Sequence, residues 1–163
     1  MEYSIRDAKA SDMEQVRWLI QELATFEKEA NAVEVTVEDL IRDGFGEKPL
    51  FHCFVAEADG ALVGMALIYP RYSTWKGPVI HLEDLIVTEE MRGKGLGNDL
   101  LKEVVRYGAR LGVKRISWEV LDWNEPAIKF YEKKGARVMR DWDVVQLDVE
   151  GMAKFLGSEK GMN

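Results

Sequence analysis

The stretch EEMRGKGLGNDLLKEV, residues 89–104, sets glycines at positions 93, 95 and 97 between an apolar run and an amphipathic one. Glycine costs order, so three of them at the mouth of a helix mark a loop whose backbone must accommodate something that side chains would block. The run before it, VIHLEDLIVT (79–88), reads as a strand. In the helix that follows, Leu96, Leu100, Leu101, Val104, Val105 and Leu111 line one face, while Lys102, Glu103, Arg106 and Arg110 face outward. Strand, glycine loop and helix in succession imply a mixed α/β chain.

The remaining periodicities fit that frame. Residues 3–8 alternate as a first strand. Residues 11–28 follow as a helix, with Ser11 and Glu14 forming a capping box ahead of Met13, Val16, Leu19, Ile20, Leu23 and Phe26 at helical spacing. A second helix covers 36–45. Residues 50–70 read as a hairpin turning at Asp59-Gly60. A fifth strand is expected at 114–121. A sharply punctuated helix follows at 124–134, with Asn124 as its cap, Pro126 in the first turn and Gly135 at its close. A sixth strand over 137–148 and a helix over 149–156 complete the order, and the tail GSEKGMN is expected to fray. Nothing reads as a repeat or linker, so residues 1–163 are expected to form a single domain.

Composition narrows the partners. With 22 basic and 29 acidic residues the formal charge is −7, which disfavours nucleic acid and favours small cations. No apolar run is long enough to span a bilayer, and the chain opens with charges where a secretory leader would be hydrophobic. The single cysteine, Cys53, fits a reducing compartment and, within an apolar strand, a core position. A cytoplasmic protein with no membrane partner is the expectation. His52 and His81 stand apart with no ligand spacing around them, so no metal is expected.

At the glycine loop, small residues let successive backbone N–H groups converge while the helix terminus adds partial positive charge, which makes a receptor for a phosphate or pyrophosphate. Two familiar phosphate loops fail on the letters. A dinucleotide fingerprint needs a glycine where Asn98 stands, and a triphosphatase loop needs Ser or Thr after Lys94, where Gly95 stands. The pattern R-x-x-G-x-G at Arg92, Gly95 and Gly97 instead resembles the coenzyme A pyrophosphate motif of the GNAT N-acetyltransferase superfamily. Further pieces, ELATFEK, DGFGEKP, FHCFVAE, YSTWKG, HLEDLIV, RGKGLG and LDWNEPAIKFYEKKGA, occur in the order of spermidine/spermine and thialysine acetyltransferases, a likeness covering residues 3–148. The resemblance implies an α/β GNAT fold: a mixed, mostly antiparallel sheet of six to seven strands with helices on both faces. It also implies acetyl-CoA as co-substrate, direct transfer to a primary amine, and a homodimer.

An alkylammonium near pKa 10.4 has no lone pair, and deprotonating it at neutral pH costs about 4–5 kcal/mol, so the site needs a proton acceptor and negative charge. HLEDL offers Glu83 and Asp84; on a regular strand they point to opposite faces, so one at most would face the acetyl group. The resemblance selects Glu83 as the residue that takes the proton, through water, and places Phe26 and Glu27 at the amine site. It makes Tyr131, one turn after Ala127, the acid that protonates the departing thiolate. It assigns the coenzyme to the strand backbone at Leu85, Ile86 and Val87 and to the loop residues Arg92, Gly93, Lys94, Gly95, Leu96, Gly97 and Asn98. Asn124, Glu125, Pro126 and Ala127 approach from the other side of the pantetheine arm. Ser117, Trp118 and Glu119 line the substrate region, with Trp118 facing away from the other two by alternation. Trp75 is available to pack against an alkyl chain or its ammonium.

Ser73 stands where polyamine-preferring relatives carry an acid, which leaves a short diamine or a lysine-like amine at least as plausible as a long polycation. Two other readings stay open: acetylation of a protein or peptide at lysine or the amino terminus, and a regulator that binds acyl-CoA without turnover.

Overall fold

Side chains that reach across the sequence decide how the first elements begin. The computed structural model describes residues 2–160. From β1 (Ser4–Asp7), Arg6 sends its guanidinium onto both oxygens of Asp12 at 2.8 and 3.0 Å and its Nε onto Glu57 at 3.1 Å. Asp12 also accepts the Lys9 N–H at 2.7 Å. This pull winds Ala10–Asp12 into a 3-10 turn and makes Asp12 the residue before α1 (Met13–Phe26). The expected Ser11–Glu14 capping box therefore does not form; α1 starts two residues later, without a side-chain cap. The second helix, α2 (Val37–Phe45), has the box its letters allow: Thr36 Oγ1 accepts the Asp39 N–H at 3.1 Å, and the Asp39 carboxylate accepts the Thr36 N–H at 3.0 Å.

The hairpin of β2 (His52–Ala58) and β3 (Ala61–Ser73) turns as expected, with Asp59 and Gly60 both left-handed at φ 50° and 79°, the two-residue turn that matches strand twist. A second hairpin joins β3 to β4 (Gly77–Val87). Next come α3 (Leu96–Leu111) and β5 (Ile116–Ser117), which lies parallel to β4, so α3 is the crossover that a parallel pair requires. Strand order is β1-β2-β3-β4-β5, antiparallel except for the last pair.

Alternation assigns the two faces. Cys53, Val55, Met65, Leu67 and Ile86 point toward Met13, Val16 and Leu19 of α1 and Leu40 of α2, the main buried cluster. On the opposite face Phe54 meets Tyr107 of α3 edge-on, ring centroids 5.8 Å apart. There Gly64 allows α3 to approach: a Cβ at that position would stand 3.1 Å from Leu100 Cδ1 and 2.9 Å from the Ile86 carbonyl. Val105 and Leu111, expected on the inner stripe of α3, are exposed. Their place over the sheet is taken by Gly108, pressed on Ile116.

These elements make up the first of two compact units, Met1–Leu121; the second is Asp122–Asn163. In the second unit α4 (Glu125–Lys133) keeps its expected punctuation: Asn124 Oδ1 accepts the Ala127 N–H at 3.4 Å, and Gly135 closes the helix at φ +93°. Residues 137–148, expected as a sixth strand, form none. A strand exists only through a neighbour's hydrogen bonds, and alternation in the letters cannot supply one. Trp142, Val144, Val145 and Leu147 of this segment are exposed. The last helix, α5 (Val149–Lys160), runs through the first residues of the tail expected to fray; residues 161–163 lie outside the described residues. The fold class stands, with five strands among the described residues rather than six or seven, and β5 is two residues long where eight were expected.

Candidate active site

The glycine loop builds an open cradle. After β4, Glu89–Met91 makes a 3-10 turn, Arg92 is extended, and Gly93 and Gly95 take φ of +75° and +87°. A Cβ at either glycine would meet nothing within 4 Å, so backbone handedness demands glycine there, and the space beside the backbone stays free. The first intrahelical bond at the mouth of α3 runs from the Asp99 N–H to the Gly95 carbonyl at 3.0 Å. The amides of Leu96, Gly97 and Asn98 precede it and have no intrahelical acceptor. Arg92 turns the other way. Its Nε donates to the Val87 carbonyl at 3.0 Å, its guanidinium lies 5.1 Å over the Phe26 ring, and it approaches Glu22 at 4.0 Å. Arg92 thus ties the loop to α1, leaving amides to face an anion. The Lys94 ammonium lies 4.0 Å from Met91 Sδ. A groove of about 800 Å³ runs beside this tie, lined by Gln15, Trp18, Glu22, Phe26 and Arg92 among others.

Upstream of the cradle, β4 has a free edge. Its pairing with β5 is confined to Ile80 with Ile116 and His81 with Ser117. Among the described residues no strand pairs with residues 82–87 on that side; alternation turns the main chain of Leu85 and Val87 to this edge and that of Ile86 to β3, and the Val87 carbonyl is taken by Arg92 Nε. The Ile86 side chain is buried in the α1-facing core.

The acids stand at a bulge. Leu67 pairs with Asp84 and the next residue, Ile68, pairs with Leu82, so Glu83 is one residue extra in β4. Leu67 and Tyr69 share the α1 face, and their partners Asp84 and His81 therefore share it too. Glu83 Oε2 lies 3.7 Å from His81 Nε2, on that same side. The expectation that Glu83 and Asp84 point to opposite faces fails because the bulge resets the alternation between them. Burial first, then the charges of Glu83 and Glu27, pushes the Asp84 carboxyl up to about 6. Glu27, just past the end of α1, is raised by burial alone. Three carboxylates thus converge at the end of α1 and the bulge of β4, an arrangement that an ammonium would relieve.

Sequence reading had no place for His81 in this site. It is 6% exposed; its Nδ1 lies 2.9 Å from Ser117 Oγ and 3.4 Å from an Arg71 nitrogen. The one available signal was its position two residues before Glu83, which on a strand means the same face. Trp118 follows Ser117 half-buried, and Glu119 is exposed. Trp75 lies elsewhere in this unit. It is 82% exposed in the β3–β4 turn, where Ser73 Oγ accepts the N–H groups of Trp75 and Lys76 at 3.2 and 3.1 Å. From Gly77 to Glu83 is about 20 Å of strand. Cys53 is buried in the core, and its thiol is pushed up to about 12, chiefly by burial, which removes it as a nucleophile.

In the second unit, Asn124 spends its side-chain oxygen on the α4 cap, and Glu125 pairs with Arg140 at 3.5 Å. Pro126 and Ala127 form the first turn. Tyr131, half-buried, sits one turn on, its ring edge-on to Phe130 at 5.5 Å. Among the described residues no group of His, Cys, Asp or Glu is placed to hold a metal ion, and no helix is long and apolar enough to cross a membrane.

Similarity to known proteins agrees with this geometry. A profile of the acetyltransferase (GNAT) family matches residues 13–136. Thialysine N-epsilon-acetyltransferase of Bos taurus is 38% identical over 164 residues, covering 94% of this chain and 96% of its own. Spermidine/spermine N(1)-acetyltransferase-like protein 1 of Homo sapiens is 38% identical over 141 residues, 82% of this chain and 20% of that longer protein. An integron cassette protein of V. cholerae shares the fold, with a TM-score of 0.78 at 22% identity over 96% of this chain and 98% of its own.

Proposed function

Because the chain belongs to the acetyltransferase (GNAT) family and works as an acetyl-CoA-dependent N-acetyltransferase, we propose that its acceptor is the primary amine of a short diamine or a lysine-like molecule. The observation that carries this reading is the cluster of Glu27, Glu83 and Asp84, set on the strand that leads into the amide cradle. Three clustered carboxylates suit an alkylammonium and repel anionic acceptors. Relatives named for thialysine and for spermidine or spermine support an amine of this class. Ser73, already engaged in its turn, offers no counter-charge for a further ammonium of a long polyamine.

Bound acetyl-CoA supplies the activated acetyl thioester. The amides of Leu96, Gly97 and Asn98, with the flexible Gly93, Lys94 and Gly95, hold its diphosphate, while the free edge at residues 85–87 pairs with its pantetheine arm. Glu83 takes a proton from the ammonium through water, with Asp84 and Glu27 holding the cation in place. The freed nitrogen lone pair attacks the thioester carbonyl to form the C–N bond, the C–S bond breaks with its electron pair going to sulfur, and the acylated nitrogen releases its second proton to solvent. Tyr131 of the second unit gives that sulfur a proton; the motif around it carries this assignment. In this reading residues 1–163 are one catalytic domain, and the enzyme works as a cytoplasmic homodimer, as its resemblance implies.

A screen of thialysine, diamines, polyamines and lysine-containing or amino-terminal peptides, ranked by kcat/KM from thiol release, tests the substrate class. Short amines are expected to rank first. Peptides that react while free amines are inert would move the enzyme to protein acetylation. No release with any amine, alongside intact acetyl-CoA binding, would make it a regulator.

A further inference from the structure

The acids are not the only polar groups on the α1 face of β4. His81 is nearly sealed from solvent at the one place where β4 and β5 pair, and its ring has a distinct neighbour at each nitrogen. At Nδ1 stand Ser117 Oγ, 2.9 Å away, and an Arg71 nitrogen, 3.4 Å away. At Nε2 stands Glu83 Oε2, 3.7 Å away. Arginine has donors and no acceptor, so the Nδ1 side must carry a lone pair; the Ser117 hydroxyl can rotate to donate to it as well. The ring proton is then on Nε2, directed at the Glu83 carboxylate.

We propose that His81 is a positioning residue for the acetyl transfer: locked as the Nε2–H tautomer by Arg71 and Ser117, it donates to Glu83 and holds that carboxylate where it receives the amine's proton. The inference rests on the reading of Glu83 as proton acceptor. The groups facing the ring are Tyr69 and Arg71 from β3, Glu83 from β4, Ser117 from β5 and Glu119 just beyond it. Burial and the Arg71 charge outweigh the two carboxylates and lower the imidazole's proton affinity, so the ring stays neutral at neutral pH. It presents no lone pair toward the site and is not itself the base.

Glu83 is the extra residue of the bulge, and its side chain is 54% exposed, so the ladder that orders its neighbours does not order it. The Tyr69 hydroxyl faces this carboxylate as well, burial first and then the carboxylate raising the phenol's pKa, so His81 is one of two groups that can steady Glu83. The Tyr69 ring, 5.4 Å from that of His81, closes another side of the imidazole. At 3.7 Å the pair is slightly longer than a hydrogen bond, and rotation of the exposed carboxylate closes the gap, as catalytic contacts tighten when substrate binds.

The test compares His81→Ala, His81→Gln and Glu83→Gln, using the amine that ranks first in the screen. Expected for His81→Ala is a loss of about tenfold or more in amine kcat/KM, with acetyl-CoA KM within about twofold, a size in keeping with one positioned proton-transfer group. Its acid limb should move to higher pH, because a carboxylate deprived of a donor holds its proton more tightly. His81→Gln, which places an N–H close to Nε2, should restore most of the activity and the wild-type limb. Nitrogen NMR of the folded wild type should report the proton on Nε2; a proton on Nδ1 would overturn the proposal without reference to activity. It is also overturned if Glu83→Gln is impaired while His81→Ala keeps full activity and an unmoved pH profile. A His81→Gln as damaged as His81→Ala, with the same lowered melting temperature, would reduce His81 to packing. Full activity in Glu83→Gln would instead remove the reading of Glu83 beneath it.

Discussion

The start of α2 and the start of α3 solve the same problem in opposite ways. At α2, Thr36 and Asp39 satisfy each other's backbone N–H groups within one turn. At α3, glycine occupies the cap position, no side chain caps the helix, and three amides are left for a guest. Two aspartates repeat the contrast. Asp12 is buried against Arg6 and the Lys9 N–H, which together hold its carboxyl below the usual range; Asp84 is buried beside two other acids, which helps hold its own above it. The framework end of the first unit pairs its polar groups internally. The β4–α3 end gathers three acids and leaves the first amides of α3 without an intrahelical acceptor, and that is where an anionic coenzyme and a cationic amine would complete them.

Filling the empty cap should have the largest effect. Gly95→Asp puts a carboxylate where a diphosphate is expected, and acetyl-CoA KM, or Kd by calorimetry, should rise by about 100-fold or more. An unchanged affinity would break the contrast between the two helix starts. Tyr131→Phe should lower kcat by about tenfold to 100-fold with little change in acetyl-CoA affinity. Unchanged turnover across pH would remove Tyr131 from the mechanism.

Asp84→Asn should stabilise the protein at pH 7–8 by up to about 3 kcal/mol, judged from denaturant midpoints, while weakening the amine KM. The sign follows from Asp84's raised carboxyl: its ionisation opposes folding fully above about pH 6, and this penalty fades as pH falls toward the unfolded value near 4. The variant and the wild type should therefore converge near pH 4. Asp12 works in reverse, since its lowered carboxyl adds stability that is lost as pH falls further. The smallest effect belongs to Thr36→Ala, which should cost about 1 kcal/mol of stability and leave kinetics unchanged, because that cap serves only its own helix.

Features written in short local patterns were legible in the sequence. The turn at Asp59-Gly60, the punctuation of α4 and the glycine cradle each depend on residues within a few positions of one another. What escaped depends on distant partners. Ser11 and Glu14 spell a capping box, but Arg6 on β1 captures Asp12 and moves the helix start. Residues 137–148 alternate like a strand and find no ladder. The bulge at Glu83 is defined only by what faces it on β3, so the letters HLEDL imply a regular strand and misplace Asp84. His81 stood apart in the sequence because Ser117 lies 36 positions away in the chain.

The inserted residue of β4 makes the site sensitive to arithmetic as well as to chemistry. A substitution at Glu83 alters one side chain and leaves the frame intact. Deleting a single residue between Leu82 and Asp84 would restore a regular ladder with His81 still opposite Tyr69 and Asp84 still opposite Leu67, and would remove only the carboxylate that the bulge carries. Homologous chains that share these letters but differ by one in their count would present a different surface to the same amine.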